Sequence, residues 1–197
     1  MIDTVIFDIG NVLVDFAWRD FLKEKGFDDA MIERIAKATV HDKDWVEYDR
    51  GVLTTEEILD LFAKNDPEIG DIIKATFGSL EGIIRKRDYA INWINELKAQ
   101  GIRVLYLSNF SYQALSANRE ALNFIEHTDG GILSYKDNVI KPDMEIYKLL
   151  IERYNLIPEN CLFIDDLEEN LEAARKLSIK THKYENTPYV TRDILGY

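Results

Sequence analysis

The sequence predicts an α/β protein: a parallel sheet with helices on both faces, interrupted by an inserted all-helical unit. Three observations lead there. Short runs rich in β-branched and aromatic residues recur, and from Arg103 onward they alternate with helical patterns, as parallel strands joined by crossover helices do. The stretch from Asp15 to Arg87 breaks that alternation and carries helical patterns alone. Polar residues collect at the ends of the strand-like runs, where a parallel sheet presents its ligand-binding edge.

The elements follow in order. "TVIFD" reads as a first strand ending in Asp8. Next come "WRDFLKEKG", "DAMIERIAKAT", "TTEEILDLFAKN" and "EIGDIIKATF", read as short helices with no convincing strand among them. Thr54 and Glu57 have capping-box spacing at the start of the third. "DYAINWINELKAQG" places Ala90, Trp93, Ile94 and Leu97 at helical spacing, with Gly101 as its stop. "RVLYLSN" and "GILSY" follow as strands, "DMEIYKLLIERYN" as a helix, "CLFIDD" as a strand, "EENLEAARKL" as a helix and "SIKTHKY" as a weaker strand. Residues 1–14 and 88–197 are expected to form the core, and residues 15–87 the insertion.

Composition narrows the function classes. The chain of 197 residues is 46% hydrophobic and 30% charged, with a formal net charge of -12. An acidic surface repels nucleic acid and anionic membranes, whose binding needs clustered Lys and Arg. An anionic small-molecule substrate would need local positive charge. Cys161 is the only cysteine, so no disulfide forms within the chain, and its apolar surroundings suit buried packing in a reducing cytoplasm. No basic leader is visible, and no apolar run reaches the roughly 20 residues of a membrane-spanning helix. No repeat, low-complexity tract or signal for oligomeric state is visible.

Asp8 ends the first strand, Ser108 and Asn109 the second, and Asp165 and Asp166 the strand "CLFIDD"; Lys141 stands before Pro142. Each has a plain structural explanation alone: a turn residue, a helix cap, a solvated lysine. Adjacent carboxylates are harder to explain, because they repel each other and one helix start needs one cap. A cation shared with Asp8 would relieve that repulsion. Hard carboxylate oxygens suit Mg²⁺, while the scattered histidines do not suggest zinc. Ser108, Asn109 and Lys141 offer donors to phosphate oxygens, and a carboxylate nucleophile such as Asp8 can form an aspartyl-phosphate. Ile9 and Gly10 would add backbone N–H donors, with Gly10 allowing close approach to metal and phosphate.

These residues resemble the four motifs of the haloacid dehalogenase-like hydrolase superfamily: "VIFDIGNVL" with Asp8, "VLYLSN" with Ser108, "VIKPDMEIY" with Lys141 and "FIDDLEENLEAA" with Asp165, Asp166 and Asn170. With the insertion they span nearly the whole chain. The resemblance implies a Rossmann-like core with a helical cap inserted after the first strand. It implies Mg²⁺ held by Asp8, the Gly10 carbonyl, Asp166 and Asp165, the last directly or through water, with Asn170 supporting the loop. It also implies a phosphatase acting on small phosphorylated metabolites.

One position departs from the pattern. Phosphatases of the superfamily usually carry an acid two residues after the nucleophile, and here that residue is Gly10. Its absence bears less on substrates with good leaving groups. The "D-x-G-N-V" variant is similar to a glucose-1-phosphatase-like branch, which brings sugar 1-phosphates into view. Asp15 is a substitute acid or simply a hinge residue. Trp18, Trp45, Glu47, Tyr48 and Arg50 either line the substrate site or pack within the cap, and "EYDRG" is expected at a cap turn facing the core. A metal-independent 2-haloacid dehalogenase and a non-catalytic binding or regulatory protein remain as alternatives.

Overall fold

The computed structural model describes residues 1–196. In chain order the elements are β1 (Thr4–Phe7), β2 (Val14–Phe16), α1 (Trp18–Glu24), α2 (Asp29–Ala38), α3 (Asp44–Arg50), α4 (Thr55–Asn65), α5 (Gly70–Phe77), β3 (Ile84–Lys86), α6 (Ala90–Ala99), β4 (Arg103–Ser108), α7 (Tyr112–Ala117), β5 (Gly131–Leu133), α8 (Ser134–Asp137), α9 (Met144–Tyr154), β6 (Cys161–Asp165), α10 (Glu168–Arg175), β7 (Lys180–Lys183) and α11 (Thr191–Leu195).

The main sheet is parallel with strand order β5-β4-β1-β6-β7. β1 lies between β4 and β6, with Phe7 opposite Tyr106 on one side and Ile164 on the other. The chain adds β4 and β5 to one side of β1, then β6 and β7 to the other. That reversal opens a crevice at the carboxyl ends of the central strands. Asp8, Ser108 and Asp165 stand at these adjacent ends.

Side chains alternate across the sheet with the two-residue strand period. Val5 and Phe7, Val104 and Tyr106, and Leu162 and Ile164 enter one core. Ile6, Leu105, Leu107, Cys161 and Phe163 enter the other with Ile146, Tyr147, Leu150 and Leu171. The helical insertion joins the first core through Phe21, Ile32, Tyr48, Phe62 and Phe77, which cluster with Val12, Leu13 and Phe110. Insertion and sheet therefore share one continuous apolar contact.

Two features differ from the sequence reading. The stretch expected to lack strands contains β3 and most of β2, paired antiparallel with Val14 opposite Lys86 and Phe16 opposite Ile84. Each has three residues, too few for a periodic signal, and their pairing is created where the chain leaves and re-enters the core. The segment "EYDRG", expected at a cap turn facing the core, is the last turn of α3, which ends when Gly51 adopts φ 73°, and it does pack on the core, with Gly51 against Tyr135. The capping box of α4 is present, with the Thr54 hydroxyl accepting from the Glu57 N–H.

Candidate active site

Lys141 is the hub of the strand-end cluster. Its Nζ lies 2.8 Å from Asp8 Oδ1 and 2.7 Å from Asp165 Oδ2. All three are deeply buried: Asp8 is 7% exposed, Lys141 3% and Asp165 0%. Burial alone would lower the Lys141 pKa, but the carboxylates of Asp165 and Asp8 outweigh it and hold the ammonium protonated well above its usual range. Burial pushes the Asp8 carboxyl up; Lys141 opposes this, and Asp165 and Asp166 add to it.

The main chain fixes the hub. Asn109 Oδ1 accepts from the Lys141 N–H at 2.8 Å, and Asn109 Nδ2 donates to the Lys141 carbonyl at 2.9 Å. The side chain expected to face phosphate thus brackets the lysine, leaving its second amide hydrogen and its main chain for a ligand. Ser108, at the end of β4, is 2% exposed. The Ile9 N–H, expected on a phosphate oxygen, donates to Asp8 Oδ1 at 2.7 Å. Asp8 Oδ1 therefore carries both the lysine and the amide. Gly10 sits in open surroundings, since an added Cβ would meet nothing within 4 Å. Protein crowding is thus not what requires glycine there.

Asp165 is saturated. Oδ1 accepts from the Leu167 N–H at 2.8 Å and from Asn170 Nδ2 at 3.0 Å, while Oδ2 accepts from Lys141 and from Asn170 at 3.0 Å. Tyr147 in turn donates to the Asn170 carbonyl at 3.0 Å. Asp166 is half-buried and accepts from Asn11 Nδ2 at 3.1 Å. Burial raises its carboxyl, Asn11 counteracts this, and Asp165 adds to the rise.

One oxygen each of Asp8, Asp165 and Asp166 lie within 4.8 Å of one another. Three carboxylates face one ammonium, so a hard divalent cation fits the chemistry of this donor set. Asp8 and Asp166 suit direct ligation, and the saturated Asp165 suits a contact through water.

Two further residues act on the cluster: Asn11, and Asp49 within the "EYDRG" segment expected to face the core. Asp49 lies in α3, and its carboxyl is electrostatically coupled to the cluster. Burial pushes it up to about 7, Asp8 adds to the rise, and the Ser111 N–H and Lys141 oppose it. A carboxylate in the last turn of a helix opposes the macrodipole, which is the one sequence signal that could have marked it. Asn11 takes a positive φ of 57° and reaches Asp166 from the turn after β1.

The other candidates have partners or packing of their own. Asp15 is held by Arg87, whose Nε donates to Oδ1 at 2.6 Å. Trp45 stacks on Phe62 with centroids 5.8 Å apart, and Trp18 meets His41 edge-on at 5.0 Å. Glu47 pairs with Arg50 at 3.3 Å, and Arg50 reaches Asp143 at 3.4 Å. Tyr48 is buried. No helix among the described residues is long and apolar enough to cross a membrane.

A parallel α/β sheet with carboxylates and a buried ammonium at its carboxyl edge defines a class of enzyme-like scaffolds. Within that class, residues 2–177 match the haloacid dehalogenase-like hydrolases, and the chain belongs to that family. It is 26% identical to D-ribitol-5-phosphate phosphatase of Bacteroides thetaiotaomicron, over 94% of this chain and 93% of that protein. It is 25% identical to a sesquiterpene phosphatase of Aspergillus oryzae, over 88% and 85%. It is also 27% identical to mouse acyl-CoA dehydrogenase family member 10, of whose length it spans 18%. Among solved structures, a B. thetaiotaomicron family enzyme in complex with magnesium and inorganic phosphate superposes with a TM-score of 0.71 at 22% identity, covering 97% of this chain and 98% of that one.

Proposed function

We propose that the protein is a Mg²⁺-dependent phosphatase of small phosphorylated metabolites, sugar and polyol phosphates among them, acting through an aspartyl-phosphate on Asp8. The observation that carries this is the grouping of Asp8, Lys141, Asp165 and Asp166 at one sheet edge. Phosphatase relatives and a fold neighbour in complex with magnesium and phosphate support it.

Asp8 Oδ1 is held by Lys141 and the Ile9 amide, which fixes the carboxylate and leaves Oδ2 for attack on phosphorus. Lys141 offsets repulsion between the attacking carboxylate and the phosphate. Ser108 and backbone N–H groups of the adjoining turns take the equatorial oxygens. Asp165 holds the lysine, and Asn170 and Asn109 hold Asp165 and Lys141. A bound Mg²⁺, carried by Asp8, the Gly10 carbonyl and Asp166 with Asp165 behind them, would neutralise the phosphate and orient it. Residues 15–87 act as a cap over this centre. The buried Cys161 suits a reducing, cytoplasmic setting.

The test is phosphate release from a panel of sugar and polyol phosphates, including sugar 1-phosphates, with Mg²⁺ or with EDTA. Release that requires Mg²⁺ and vanishes in Asp8→Asn is expected. Halide release from 2-haloacids without metal would favour the dehalogenase. No release by the folded protein across the panel would favour a binding role.

A further inference from the structure

Expelling an alkoxide from phosphorus requires a proton donor, and the turn after Asp8 supplies none: residue 10 is glycine and Asp15 is committed to Arg87. Asp165 is saturated with hydrogen bonds, and Asp166 is engaged by Asn11. The remaining carboxyl coupled to the cluster comes from the insertion.

Its backbone is pinned to the core. Ser134 Oγ donates to the Asp49 carbonyl and accepts from the Phe110 N–H at 2.8 Å. Asn138 Nδ2 donates to the Arg50 carbonyl at 3.1 Å. At Gly51 the chain passes so close to α8 that a Cβ would lie 2.6 Å from Tyr135 Cβ. Phe110 immediately follows Asn109, which brackets Lys141. One hydroxyl therefore links the Asp49 backbone to the loop that orders the lysine. Beside Asp49, the Tyr48 hydroxyl is buried near Ser111 but outside hydrogen-bonding geometry, an orphan donor available to a ligand oxygen.

We propose that Asp49 is the catalytic acid and base of this site, delivered from the insertion in place of a carboxyl at position 10. This rests on the phosphatase reading above. As Asp8 Oδ2 forms its bond to phosphorus and the P–O bond of the ester breaks, the Asp49 carboxyl gives its proton to the departing oxygen. The resulting Asp49 carboxylate then takes a proton from the water that attacks the aspartyl-phosphate, releasing phosphate and restoring both carboxyls. The raised pKa of about 7 lets the group hold a proton near neutrality and surrender it.

The experiment compares p-nitrophenyl phosphate, whose leaving group needs no proton, with phenyl phosphate, whose leaving group does. Single-turnover phosphorylation is measured in wild type, Asp49→Asn and Asp49→Glu with Mg²⁺, with circular dichroism melts confirming folding. Asp49→Asn should slow phosphorylation by phenyl phosphate by about 10²–10⁴-fold while the p-nitrophenolate burst stays within about tenfold, and Asp49→Glu should recover part of the loss. Equal losses on both esters, or no loss on phenyl phosphate, would overturn the assignment in an otherwise active phosphatase. Wild type inert toward both esters would overturn the phosphatase reading itself, and this one with it.

Discussion

At the scale of single residues, the cluster behaves as one unit because Lys141 is shared. Lys141→Ala would leave the buried carboxylates of Asp8 and Asp165 facing each other. Breaking a buried ion network from one side costs about 3–5 kcal/mol, and urea unfolding of the metal-free variant should register a loss of that order. Asp8→Asn keeps the shape and removes the proposed nucleophile; phosphate release should fall to background while the melting temperature changes by only a few degrees. Asp49 carries a pH signature. Its folded carboxyl titrates near 7 against an ordinary 3.8, with Asp8 and Lys141 the charged groups acting on it. The fold therefore disfavours its ionised form. That cost is absent below about pH 4, grows as pH rises and is complete above about pH 7. Asp49→Asn should accordingly raise the melting temperature of the metal-free protein at pH 8 and lose that advantage by pH 4. An equal shift at both pH values would contradict the burial of this carboxyl. Asp8, Ser108, Asp165 and Asp166 stand out in the sequence because polar residues at the ends of apolar strands break the pattern, whereas Lys141, before Pro142 and at no strand end, takes its place only through the resembling motif. Asp49 enters the sequence reading only as part of "EYDRG", a segment expected to face the core, because by itself one acid in a polar helix looks like any solvated residue.

At the scale of elements, legibility followed length and capping. β1, β4 and β6 are apolar runs with a fixed period, and α4 announces itself through its Thr54–Glu57 capping box. α3 has Lys43 at its N-cap with no side-chain cap bond, so nothing local marks its start. β2 and β3 exist only through each other. The join between α3 and α8 depends on Gly51, whose φ of 73° and 2.6 Å approach to Tyr135 leave no room for a methyl group. Gly51→Ala should destabilise the protein by about 1–3 kcal/mol and loosen the hold on Asp49. The measurement is a thermal melt paired with the phenyl phosphate assay, and activity should suffer more than stability alone explains.

For the whole molecule, the deciding fact is enclosure. Asp8, Ser108 and Lys141 are each less than a tenth exposed, and the insertion shares its apolar core with the sheet. Millimolar Mg²⁺ should raise the melting temperature by several degrees in wild type and by far less in Asp166→Ala, because a ligand that binds only the native state stabilises it. The chain enters and leaves the insertion through the short ribbon of β2 and β3. Arg87, just past that ribbon, donates to the Asn11 carbonyl at 2.8 Å, and Tyr89 donates to the Val12 carbonyl at 2.8 Å. Two paired strands cannot slide past each other without breaking their bonds, so the ribbon fixes where the insertion enters and leaves the core. These bonds seat the ribbon on the same loop that follows Asp8 and places Asn11 against Asp166. Strain placed on the ribbon is therefore passed to Asn11, and through it to Asp166.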